Sequence, residues 1–131
     1  KEHDITLIDD SYNANPTSMK AAIDRLKAIE GGRKIAILGE MYELGDEGPR
    51  AHADIASVVN TLDQVVMVGE GFRLFAESAM AGFATNASDI DLPVLAASLR
   101  EGDTLLVKGS NGVFWTHQFV QQLVDAIKTR R

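Results

Sequence analysis

Apolar residues along this chain alternate between short continuous runs and stripes at helical spacing. Ile5 to Asp9 is near-continuously apolar and predicts a first strand covered on both faces. After Pro16, the positions Met19, Ala22, Ile23, Leu26 and Ile29 recur at i, i+3, i+4, i+7 and predict a helix packed on a sheet, which Gly31-Gly32 stops. Lys34 to Leu38 predicts a second buried strand, followed by a long polar loop from Gly39 to Pro49. A helix from about Pro49 to Leu62, a strand from Gln64 to Val68 and a helix from Glu70 to Met80 follow. The pattern weakens between Gly82 and Leu92, where a short strand or loop is expected. Leu92 to Leu99 predicts a helix with Pro93 in its first turn. Thr104 to Val107 predicts a further strand, and Phe119, Val120, Leu123, Val124 and Ile127 define one face of a last helix from about Val113.

Strands alternating with helices predict an α/β fold, a Rossmann-like three-layer α/β/α sandwich with a mainly parallel sheet. Right-handed crossovers then bring the strand-end loops to one edge of the sheet. Asp9-Asp10, Gly39-Glu40, Gly69-Glu70 and Lys108-Gly109 are therefore expected on a shared rim. The sharpest corner on it is Asp9-Asp10-Ser11-Tyr12-Asn13-Ala14-Asn15-Pro16. An apolar strand ends at two carboxylates and reaches Asn-Pro, an N-cap followed by Pro at the first helical position. Ligands of parallel sheets bind at such corners, and free N–H groups of the following helix favour an anion.

Composition narrows the chemistry. The chain of 131 residues fits one domain, spanning 1–131, without an internal repeat. It has no cysteine, hence no disulfide, thiolate metal site or Cys nucleophile, in keeping with a reducing, cytoplasmic setting. A net charge of −6 argues against nucleic-acid binding. The basic end Lys128-Thr129-Arg130-Arg131 reads as cations at a helix C-terminus. There is no apolar run long enough to span a membrane. The chain begins at Lys1 rather than Met and soon enters its first strand, so an excised domain is expected.

Each candidate residue has a functional and a structural reading. Asp9 and Asp10 are adjacent and fall on opposite faces if the strand runs through them, which argues against a close catalytic dyad. One of them suits ribose hydroxyls or a hydrated metal; the other reading is a solvated strand end. Asn13 and Asn15 offer donors and acceptors to a nucleotide or serve the turn, and for Asn15 the cap is the stronger reading. Tyr12 stacks on a base or covers the loop. Lys108 suits a phosphate or carboxylate, with Gly109 and Gly112 opening the backbone and Ser110 and Asn111 adding hydrogen bonds. Its other reading is a solvated lysine at a turn. Glu40, Glu43, Asp46 and Glu47 either grip an ammonium or are simply solvated. His52 reads as structural, and His3 and His117 lack partners, so no metal site is expected. No G-x-x-x-x-G-K-[ST] loop is present to hold a triphosphate. Gly69-Glu70-Gly71 opens like a dinucleotide fingerprint, but Leu74 stands where its third small residue belongs.

Three segments together resemble the C-terminal domain of a Mur ligase: Asp9 to Met19, Leu38-Gly39-Glu40-Met41-Tyr42-Glu43-Leu44-Gly45 with His52, and Leu106-Val107-Lys108-Gly109-Ser110. The resemblance covers essentially the whole chain. It implies an ATP-dependent peptide ligase of peptidoglycan precursor synthesis, with separate N-terminal UDP-sugar and central ATPase domains. That accounts for the missing phosphate loop. In the branch matched best, D-alanyl-D-alanine is joined to UDP-N-acetylmuramoyl-tripeptide, and this domain closes over ATP and brings the dipeptide. The resemblance further implies Asp10 at the ribose, Asn13 at the nucleotide and Asn15 holding the corner. It places Glu40, Lys108, Gly109, Ser110 and Asn111 at the dipeptide, gives the domain no catalytic residue and leaves Mg²⁺ mainly to the central domain. Relatives place an Asp and, three residues later, a His at the corner; here those positions are Asp10 and Asn13. Relatives often carry Arg after Lys-Gly-Ser, and Asn111 stands here, which raises Lys108 as the anion partner. Two rivals remain. A phosphoacceptor receiver domain also has paired acids after its first strand and a lysine after its last, but its phosphorylated Asp belongs where this chain has Gly69-Glu70. A free-standing dinucleotide-binding domain is weakened by Leu74.

Overall fold

Strand β5 (Thr104–Lys108) is an inner strand of the sheet, buried at every residue. In the computed structural model, which describes residues 5–10, 15–41, 44–59, 61–76, 82–109 and 119–129, it lies between β1 (Thr6–Asp10) and β2 (Lys34–Gly39). Outward from β2 come β3 (Gln64–Val68) and β4 (Gly82–Ala84), giving a five-stranded sheet of order β1-β5-β2-β3-β4 with every pairing parallel.

The helices lie on two faces because strand residues alternate sides. One core joins Ala36, Leu38, Met67 and Leu106 of the sheet to α1 (Pro16–Ala28), α2 (Gly48–Val58) and α3 (Arg73–Ala76). The other joins Ile35, Ile37, Leu105 and Val107 to α4 (Leu92–Ser98) and α5 (Phe119–Thr129). The expected three-layer α/β/α sandwich is thus formed. On α1, Met19, Ile23 and Leu26 are fully enclosed, and burying each such side chain stabilises the fold by roughly 1.5–3 kcal/mol.

Several expectations need correction. β1 is an edge strand with Thr6 and Asp9 exposed, not a strand covered on both faces. The α1 stripe stops at Leu26, because the helix ends at Ala28 and Ile29 caps it in extended conformation, 37% exposed. α2 ends at Val58 rather than Leu62. The segment from Glu70 opens with a 3₁₀ turn, Glu70–Phe72, before the short α3. The weak region holds both β4 and a 3₁₀ turn at Ala87–Asp89.

Sheet order makes neighbouring connections part at the carboxyl end of β5. Chain leaving β1 and β2 crosses to the α1–α3 face, whereas α5, which follows β5, packs on the other face. Neighbouring connections that part in this way open a ligand crevice in α/β sheets.

Candidate functional site

Three strand ends meet at the carboxyl end of β5. Asp10 of β1 pairs in register with Lys108 of β5, and Lys108 pairs on its other side with Leu38 of β2, one residue before Gly39-Glu40. The three segments singled out in the sequence are therefore contiguous in space although about thirty to a hundred residues apart in the chain.

The corner after β1 reaches α1 through a capping box. Asn15 Oδ1 accepts from Ser18 N–H at 2.8 Å, and Ser18 Oγ accepts from Asn15 N–H at 3.1 Å. The expected cap role of Asn15 is thus formed. It also alters the expectation of an anion at this helix start. Pro16 has no N–H, Ser18 N–H is held by the Asn15 side chain, and Met19 N–H donates to Asn15 O at 2.9 Å. Of the first-turn amides only that of Thr17 is left for a ligand. β1 runs through both Asp9 and Asp10, the condition that separates adjacent positions onto opposite faces. Asn13, Tyr12, Ser110, Asn111, Glu43, His3 and His117 lie outside the described residues.

Lys108 is 2% exposed. It follows Val107 on the side of β5 that carries Leu106, facing the α1–α2 core. An ordinary solvated lysine is thereby excluded, since an ammonium is withdrawn from water only where other groups compensate it. Lys108 is engaged within the fold. Gly109, next to it, is buried.

The acidic loop divides. Asp46 and Glu47 are exposed. Glu40 is half-buried, and its Oε1 accepts from Gly71 N–H at 2.9 Å, tying the end of β2 to the turn after β3. His52, which the sequence read as structural, is 3% exposed and sits under the same loop. Its Nε2 is 2.9 Å from Met41 N and its Nδ1 is 2.7 Å from Gly48 O. Because Met41 N–H can only donate, Nε2 is the bare nitrogen, and the proton on Nδ1 donates to Gly48 O. Neither ring nitrogen is left for a substrate proton. Histidine spacing carried no signal of this, because both partners are backbone groups.

At the end of β3, Glu70 is paired with Arg73, whose Nε lies 2.9 Å from both carboxylate oxygens. The Arg73 hydrogen bonds hold the Glu70 carboxyl below its usual range, and the Glu70 bonds raise Arg73 above its own. The Arg73 guanidinium lies 4.8 Å above the Phe83 ring. The phosphoacceptor position of a receiver domain is thus filled by a glycine and an ion-paired glutamate.

Among the described residues no group of three or more His, Asp or Glu side chains is placed to hold a metal ion. A groove of about 610 Å³ lies between α1 and α2, lined by Pro16, Thr17, Lys20, Ala51, Asp54 and neighbours. Lys20 and Asp24 in it pair with each other at 3.5 Å. No described helix is long and apolar enough to cross a membrane.

Comparison with known proteins gives this arrangement a context. Residues 1–111 match the family described as Mur ligase, glutamate ligase domain. A UDP-N-acetylmuramoyl-tripeptide--D-alanyl-D-alanine ligase of Bacillus subtilis is 33% identical over 132 residues, covering 93% of this chain and 28% of that protein. One of the same name from Mycobacterium bovis is 40% identical over 134 residues, covering 82% of this chain and 26% of that protein. Among solved structures, MurF ligase from Thermotoga maritima in complex with ADP shares the fold at a TM-score of 0.86, with 23% identity over 100% of this chain and 30% of that one. MurF from Acinetobacter baumannii aligns at a TM-score of 0.73 with 30% identity, over 91% of this chain and 27% of that one. The chain thus spans under a third of each relative's length, and it belongs to the Mur ligase family through the glutamate ligase domain.

Proposed function

We propose that this chain is the C-terminal domain of the ATP-dependent ligase that joins D-alanyl-D-alanine to UDP-N-acetylmuramoyl-tripeptide in the cytoplasm, during peptidoglycan precursor synthesis. The observation that carries the reading is the contiguity of Asp10, Lys108 and Gly39-Glu40 at the crevice end of the sheet. These are the strand ends at which the chain's three Mur ligase segments meet. The relatives' shared name supplies the substrates.

In this reading the γ-phosphoryl group of ATP passes to the terminal carboxylate of the tripeptide, giving an acyl phosphate and ADP. The amine of the dipeptide then attacks the acyl carbon, phosphate leaves with the bonding electrons, and the amine's proton is lost to form the amide. The N-terminal and central domains of such a ligase hold the UDP-sugar, the triphosphate and Mg²⁺, which neutralises phosphate charge when bound. This domain supplies placement and closure: it brings the amine to the acyl phosphate and excludes the water that would hydrolyse it.

Residue roles follow the rim. Asp10 takes the ribose, Asn13 the nucleotide, and Asn15 keeps the corner folded. The capping box leaves a single amide at the α1 start, which suits the nucleoside end of ATP better than its triphosphate. The loop from Glu40 and the turn Lys108-Gly109-Ser110-Asn111 face the dipeptide, with Lys108 or Ser110 answering its carboxylate.

Steady-state phosphate release by the full-length ligase tests this division. Asp10→Ala is expected to raise the KM for ATP more than that for dipeptide. Lys108→Met, chosen to fill the same buried space, is expected to do the reverse. Equal effects on both KM values refute the assignment.

A further inference from the structure

The geometry assigns His52 and Glu40 a joint role. We propose that they are positioning residues that clamp the β2–α2 loop to the turn after β3, and that this clamp sets the affinity for the amino substrate. The inference rests on the reading above that the loop from Glu40 faces the dipeptide.

The backbone ladder between β2 and β3 ends at Gly39 and Val68, with Glu40 N–H donating to Val68 O at 2.9 Å as its last rung. Beyond that rung side chains take over. Glu40 Oε1 accepts from Gly71 N–H, and His52 Nε2 accepts from Met41 N–H. The consecutive residues Glu40 and Met41 are thus held from two directions just where the loop leaves the rim. His52 is itself fixed by the Gly48 carbonyl and by the Phe72 ring, edge-to-face at 4.6 Å between centroids and 82° between planes. Met41, 4% exposed, anchors the loop into the α1–α2 core.

The clamp also explains Gly69-Glu70-Gly71, which resembles the opening of a dinucleotide fingerprint. A Cβ on Gly71 would lie 2.6 Å from His52 Nε2, and a Cβ on Gly69 would run into the Glu40 carboxylate. Gly69 also has φ +106°, a conformation that side chains other than glycine's rarely adopt. Both glycines make room for side chains of their own chain rather than for a pyrophosphate. A substrate loop held in its binding geometry before substrate arrives avoids the ordering cost on binding, which appears in KM.

The test uses the full-length ligase, with KM for D-alanyl-D-alanine and for ATP measured separately by phosphate release. His52→Leu removes both ring hydrogen bonds, and the dipeptide KM is expected to rise about tenfold while the ATP KM moves less than about twofold. His52→Gln places an amide oxygen near the Nε2 position, and rescue to within about threefold of the parent is expected. Gly71→Ala leaves the imidazole's chemistry intact but displaces the ring, and it is expected to raise the dipeptide KM as His52→Leu does. Should His52→Leu fail to fold, the other two variants carry the test. Equal rises in both KM values, unchanged dipeptide KM in Gly71→Ala, or a Gln variant that loses dipeptide affinity about tenfold overturns the clamp. A parent enzyme whose phosphate release does not depend on dipeptide overturns the functional reading instead.

Discussion

Replacing Asp103 separates the stability of this fold from its function. Asp103 precedes β5 and Arg33 precedes β2, at the edge of the sheet opposite the crevice. The carboxylate is 1% exposed and receives Arg33 Nε at 3.0 Å, Arg33 Nη2 at 2.7 Å and Arg100 N–H at 2.7 Å. The Arg33 side chain is 26% exposed and also donates to Ser98 O at 2.9 Å. Breaking a fully buried pair costs about 3–5 kcal/mol, and because Arg33 here regains water, about 2–3 kcal/mol is expected for Asp103→Ala. For a chain of this size that lowers the melting temperature by roughly 10 °C. Asp103→Asn keeps one acceptor oxygen and is expected to lose about half as much.

The pH dependence has a definite sign. Burial alone would push the Asp103 carboxyl up, but the Arg33 hydrogen bonds, the Arg100 amide and the two guanidinium charges outweigh it and leave it below 3.8. Arg33 is correspondingly raised, first by its hydrogen bond to Asp103. A depressed carboxyl contributes stability that is complete above the unfolded carboxylate's value and fades as pH falls through the folded one. The gap between parent and Asp103→Asn should therefore be constant from neutral pH to about 5 and shrink below about 4. Urea unfolding followed by circular dichroism, repeated across that range, measures it. A gap under about 0.5 kcal/mol at pH 7, or one that widens on acidification, refutes the reasoning. In the full-length ligase both KM values should stay at parent level.

Three other outcomes are expected. Asn15→Ala removes the capping box and should cost about 1 kcal/mol in urea unfolding, with a smaller rise in the ATP KM than Asp10→Ala produces. Gly69→Ala combines an unfavourable positive φ with collision against Glu40, and about 2–4 kcal/mol of destabilisation is expected by the same measurement. The 131 residues alone, lacking a triphosphate loop, should release no phosphate when given ATP, tripeptide and dipeptide; a colorimetric phosphate assay checks this.

The features legible in the sequence were those fixed by local chemistry. Gln64 to Val68 forms the strand at the expected bounds, because its apolar residues are flanked by turn formers. Asn-Pro specified both the cap and the first turn of α1. Strand order was less accessible. Ile5 to Asp9 is as apolar as an inner strand, yet crossover geometry places β1 at the edge and β5 inside it, between β1 and β2. The helix expected from Glu70 fails at its start because Gly69 turns the backbone sharply and a 3₁₀ turn follows. Lys108 has the sequence setting of a surface residue, and its burial follows from β5 lying inside the sheet, flanked by β1 and β2. The role of His52 depends on a backbone amide eleven residues away, which no spacing rule reports.

The central claim is tested most directly by product formation. The full-length ligase is incubated with ATP, Mg²⁺, UDP-N-acetylmuramoyl-tripeptide and D-alanyl-D-alanine, and the nucleotide product is resolved by mass spectrometry alongside released phosphate. The account predicts a product heavier by the dipeptide less one water, with one phosphate released per amide formed. A product carrying a single amino acid instead, or phosphate release indifferent to the dipeptide, contradicts it.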